Sequence, residues 1–77
     1  MKMQAMVRIE KAGRMLEELL EDIKVIREVE WAEYNKFPES IQQSTHGKMT
    51  FDAADNLSSA EVSLGEAIEY LAAAIGK

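Results

Sequence analysis

Cysteine is absent from the 77 residues, which excludes disulfides, thiolate metal sites and thiol chemistry. Proline occurs once and glycine four times, so long stretches are free to be helical. No apolar run approaches the ~18 residues of a membrane span, and the N-terminus lacks the apolar core of a secretory signal. The expectation is a cytoplasmic chain with no membrane partner. An excess of positive charge is missing too. Fourteen acidic residues face nine basic ones, for a net charge of −5, and direct nucleic-acid binding is not expected. What is present is 47% hydrophobic and 30% charged residues, the balance of a folding chain and not of a disordered tail. The length sets one domain as the ceiling, since typical domains need on the order of 100 residues.

The apolar pattern is helical. Ala5, Ile9, Ala12, Leu16, Leu19, Ile23 and Ile26 alternate three and four apart, as in a heptad seam, and Leu20 widens the stripe. This predicts one helix over about 3–35, roughly 50 Å long. Pro38 ends it, because the residue before a proline avoids the helical region. Residues 36–50 read as a loop, with one short helical turn after Pro38 and with Ser44, Thr45, His46 and Gly47 as irregular chain. A second helix is expected over about 51–75, capped by Thr50 or Asp52 and ended by Gly76. Leu57, Leu64, Ile68, Leu71 and Ile75 form its large-residue stripe. Ala53, Ala60, Ala67 and Ala74 recur every seven residues and read as the opposite, small-residue side, with Gly65 and Ala72 beside them. These alanines are either a solvent face or a close-approach surface.

The fold expected is therefore all-α: one antiparallel two-helix hairpin over 1–77. Two helices alone bury too little. Burial yields ~25 cal/mol per Å² while ordering costs ~1.5 kcal/mol per residue, so a lone hairpin comes out near zero. A second copy is the simplest partner, giving a four-helix bundle with Ile9, Leu16, Leu19, Ile23, Ile26, Leu57, Leu64, Ile68 and Leu71 on its seams. Residues 1–14 carry Lys2, Arg8, Lys11 and Arg14 against Glu10 alone. Residues 15–35 carry Glu17, Glu18, Glu21, Asp22, Glu28, Glu30 and Glu33 against Lys24 and Arg27. That polarity favours antiparallel pairing. Around the loop, Trp31, Tyr34, Phe37 and Phe51 should pack as anchors, or else present an aromatic patch to a partner.

Candidate chemistry is sparse. No cofactor, catalytic set or metal site is expected. Glu30 and Glu33 continue the seam toward Asp52 and Asp55 and are weak candidates for a Mg²⁺ or Ca²⁺ site. The alternative is that the stripe drifts to Val25, Val29 and Ala32 and leaves the acids wet. Glu18-x-x-Glu21 and Glu66-x-x-Glu69 superficially resemble the paired acidic motifs of helical nucleotide pyrophosphohydrolases, but the first lies opposite the seam and the second lacks the expected Asp. His46, the sole histidine, has no nucleophile pattern beside it. Lys36 and Lys48 make the loop locally basic and are possible anion contacts.

Residues 33–44, Glu-Tyr-Asn-Lys-Phe-Pro-Glu-Ser-Ile-Gln-Gln-Ser, resemble a motif of uncharacterised short proteins from phages and prophages of Gram-positive bacteria, in which a long charged helix ends in a Pro-Glu-Ser/Asn-Leu/Ile-Gln-x-Ser turn. An Ala-rich helix follows there, as over 57–68 here. This chain departs after Ser44, where those proteins continue with charged residues. The resemblance implies a phage origin and a helical hairpin, and carries no activity.

The functional expectation is a small acidic, non-enzymatic interaction module that self-associates and docks on another protein. Asp52, Asp55, Glu61, Glu66 and Glu69 form its candidate interaction surface. The alternatives, in order, are a small-anion or nucleotide binder and a magnesium-dependent helical hydrolase.

Overall fold

The computed structural model describes residues 1–76. The chain is all-helical among them: α1 spans Met3–Lys36, a short α2 spans Glu39–Gln42, and α3 spans Thr45–Ala74. α1 and α3 pack antiparallel as a hairpin, with α2 in the connection.

α1 ends where the proline requires. Phe37 is extended at φ −67°, ψ 137°, and its N–H donates to the Tyr34 carbonyl at 3.1 Å. Pro38 then stands at the N-cap position of α2. Its carbonyl accepts from the N–H groups of Ile41 at 2.9 Å and Gln42 at 3.0 Å.

The expected loop over 36–50 is a correction. α3 begins at Thr45, six residues before the expected start, and neither Thr50 nor Asp52 is its cap. Ser44 is: its Oγ accepts from the Gly47 N–H at 3.2 Å, and its carbonyl accepts from Lys48 N–H at 3.0 Å. Gly47 is no turn residue. It is buried in the first turn of α3, and a Cβ there would lie 2.1 Å from the Ile41 carbonyl oxygen and 2.6 Å from the Gln42 Cα. Only a residue without a side chain lets α3 lie this close to α2. Thr50 satisfies its own hydroxyl within α3, on the His46 carbonyl at 3.1 Å.

At the other end Ile75 and Gly76 close α3. Their N–H groups donate to Ala72 and Ala73 carbonyls at 3.3 and 3.1 Å, and Gly76 takes φ +79°.

The tight packing sits at the connection. The buried residues are Gly47, Thr50 and Ala54, all in the first turns of α3, and α1 contributes none. Elsewhere the facing rows are half-buried. On α1 the row runs Ile9, Gly13, Leu16, Leu20, Ile23, Arg27, Trp31 and Tyr34. The expected drift to Val25, Val29 and Ala32 is also a correction: all three are exposed, and the inward row passes instead through Arg27, Trp31 and Tyr34.

The result is a rod. Its extents are 57 × 16 × 14 Å and its radius of gyration is 17.2 Å, against ~11.5 Å for a compact chain of this length. Its accessible surface is 5788 Å², against ~4,700 Å² for a folded monomer of 8.7 kDa. No helix among the described residues is long and apolar enough to cross a membrane.

Candidate interaction surface

The register of the hairpin is set by two polar contacts near the connection. Arg27 Nε donates to the Glu61 carboxylate at 2.5 Å, and Trp31 Nε1 lies 3.3 Å from Ser58 Oγ. The Ser58 hydroxyl in turn donates to the Ala54 carbonyl at 3.0 Å. Beside them the aromatic residues gather edge to face. Trp31 meets Phe51 at a centroid distance of 5.2 Å and Tyr34 at 6.1 Å; Tyr34 also meets Phe51 at 5.5 Å and Phe37 at 6.3 Å. Phe37 lies 5.3 Å from the His46 ring. The structure therefore brings Trp31, Tyr34, Phe37 and Phe51 into one cluster, as ring quadrupoles favour. Trp31, Tyr34 and Phe37 are half-buried in it, and Phe51 stays partly open.

Away from the cluster, the α1 stripe read from the sequence divides in two. Ile9, Leu16 and Ile23 face α3, as do Leu57, Leu64, Ile68 and Leu71 from the other side, all half-buried. Leu19 and Ile26 do not. They are 50% and 49% exposed, and they belong to a second row with Ala12, Met15 and Val29 along the flank of α1.

The alanines of α3 need a correction too. They do not lie opposite its large residues but beside them, which is why Ala60 and Ala67 are half-buried while Ala53 and Ala74 are exposed. Helical periodicity and the Arg27–Glu61 register put them on the same side of the hairpin as the second α1 row: Ile26 next to Ala60, Leu19 next to Ala67, Ala12 next to Ala74. Together they form one long apolar face, large on α1 and small on α3. Sequence reasoning missed it because a single heptad stripe was assumed to serve one contact. The signal was the width of the stripe.

The acidic surface is narrower than expected. Asp52, Asp55, Glu66 and Glu69 are exposed on α3, with Asp52 at the edge of a groove that also reaches Tyr34 of α1. Glu61 is not among them: it points inward to Arg27, and both side chains are 25% exposed.

Glu30, Glu33, Asp52 and Asp55 do not converge. No three His, Asp or Glu side chains among the described residues are placed to hold a metal ion. Glu18 and Glu21 are likewise exposed on the outside of α1. Lys36 and Lys48 are not brought to one place either. Lys48 borders an open groove of about 230 Å³ with Tyr34, Gln42, Gln43, Phe51 and Asp52, and Lys36 does not.

These geometries are all the chain offers as a guide to its kind: no protein-family model matches it, and neither does any curated protein or solved structure.

Proposed function

We propose that this chain is a non-enzymatic protein-interaction module, working as a homo-oligomer in which hairpins pair into a four-helix bundle. α3 then offers Asp52, Asp55, Glu66 and Glu69 to a basic surface on another protein. The observation that carries this reading is the exposed apolar face, with Met15 at 56%, Leu19 at 50%, Ile26 at 49% and Val29 at 57% exposed along one side of a rod that buries no side chain of α1. A row of large apolar side chains left this open along one side is what an interaction site looks like. The phage or prophage origin suggested by the Pro38 turn belongs to the same proposal and adds no residue to the site.

Sedimentation velocity at micromolar concentration tests the first half. The reading expects a species of at least twice 8.7 kDa, and a stable folded monomer contradicts it. The second half is tested by capture from a cell extract. Asp55→Lys with Glu66→Lys should abolish salt-sensitive capture of the partner while leaving helix content unchanged.

A second reading has one observation in its favour. The groove bordered by Lys48, Tyr34, Gln42 and Phe51 combines a cation, an amide and ring edges, as a small anion with an aromatic part would require. Asp52 at the same groove opposes it. Nucleotide titration followed by Trp31 fluorescence, with Lys48→Ala as control, separates the two.

A further inference from the structure

The exposed apolar face has an internal order that selects its occupant. We infer that it is closed by a second copy of this chain lying antiparallel, α1 against α1, with the two-fold axis crossing near the middle of α1. This rests on the homo-oligomer reading and adds the orientation.

Spacing is the first argument. Along the face, α1 presents Arg8, Ala12, Met15, Leu19, Asp22, Ile26, Val29 and Glu33 in steps of four and three. Read backwards from Glu33, the steps repeat in the same order. An antiparallel copy therefore pairs Arg8 with Glu33, Ala12 with Val29, Met15 with Ile26 and Leu19 with Asp22, each pair twice. This is the a-to-d layering of an antiparallel coiled coil.

Charge is the second. Arg8 stands at one end of this row, with Lys2, Lys11 and Arg14 near it, and Glu30 and Glu33 stand at the other. A parallel copy would lay Arg8 on Arg8 and Glu33 on Glu33. The antiparallel copy replaces both repulsions with attractions.

Shape is the third. α1 has 24 helical residues ahead of Arg27 and α3 has 13 beyond Glu61, so the first turns of α1 run past the end of α3. Met3 and Val7 on that overhang are 80% and 58% exposed. In the antiparallel pair the overhang falls beside the partner copy's connection, where Ile41 and Met49 are exposed at 38% and 66%. The rod is 57 Å long, so the row from Arg8 to Glu33, about 38 Å of helix, spans most of its length.

The absence of native cysteine makes the test clean. Ala12→Cys and mass-tagged Val29→Cys proteins are mixed and treated with a short bis-maleimide, after sedimentation has established that each still associates. The expected product is the mixed 12–29 cross-link. In a parallel pair those positions stand 17 residues, or ~25 Å, apart. Self-linked Ala12→Cys dimers with no mixed product would overturn the orientation and leave the homo-oligomer standing. A monomer in sedimentation of the unmodified protein would remove both. A charge swap gives an independent readout. Arg8→Glu should weaken association roughly three- to tenfold, and adding Glu33→Arg to the same chain should restore it. Equal weakening without rescue contradicts the Arg8–Glu33 pairing. Asp22→Leu should tighten association by removing the two Asp22 carboxylates, one from each copy, that flank the crossing, and no gain in affinity counts against it.

Discussion

Arg27 and Glu61 stand 34 residues apart in sequence and meet at 2.5 Å across the hairpin, in the inward row where a Leu or Ile would otherwise be expected. Arg27 also lies 3.9 Å from Glu28, a weak contact because the Glu28 carboxylate is exposed. The Glu61 contact differs because both side chains are three-quarters covered. It pins the register on which the aromatic cluster and the apolar face depend. Glu61→Gln should therefore lower unfolding free energy by about 1–2 kcal/mol in urea titration. Glu66→Gln, on the open side of α3, should change it by less than ~0.5 kcal/mol.

Gly47 and Gly13 should respond to alanine with opposite signs. At Gly47 the added methyl meets the Ile41 carbonyl at 2.1 Å, so α2 must move, and the expected loss is about 1–3 kcal/mol. At Gly13 a Cβ meets nothing within 4 Å, and the gain in helix propensity should be up to ~1 kcal/mol. Thermal unfolding of the two variants side by side checks this.

Ser44→Ala removes the acceptor for the Gly47 N–H and should cost about 1 kcal/mol. Hydrogen exchange should place the faster opening in the first turns of α3, with the Leu64 region unchanged.

Phe37 bridges Tyr34 and His46 at the edge of the aromatic cluster. Phe37→Ala should raise exchange rates over 37–47 without changing the sedimenting mass, since Phe37 packs within its own hairpin and is not on the α1 row that pairs with the second copy. Dissociation on this substitution would place the Phe37 ring itself in the oligomer contact.

Much of this was legible in the sequence, and the rest was hidden for identifiable reasons. α1 was visible because its apolar spacing and lack of proline agree over its whole length, and Pro38 marks its end by local sterics alone. The start of α3 was hidden because Thr45, His46 and Gly47 all have weak helix propensity, and packing against α2 overrides it. Ser44 was a good cap, yet nothing behind it read as helix. The inward turn of Glu61 was hidden because a carboxylate reads as solvated until its arginine is known to stand opposite. The apolar face was half legible: Leu19 and Ile26 stood out, but which stripe they serve depends on the register that Arg27 and Glu61 set.

The proposed function depends on the hairpin folding with a second copy on its apolar face. Thermal unfolding followed by circular dichroism at protein concentrations a hundredfold apart tests it most directly. A hairpin stabilised by self-association gains stability with concentration through mass action, and its midpoint should rise by several degrees across that range. A midpoint that does not move with concentration, in a protein that sediments as a monomer throughout, would contradict the account.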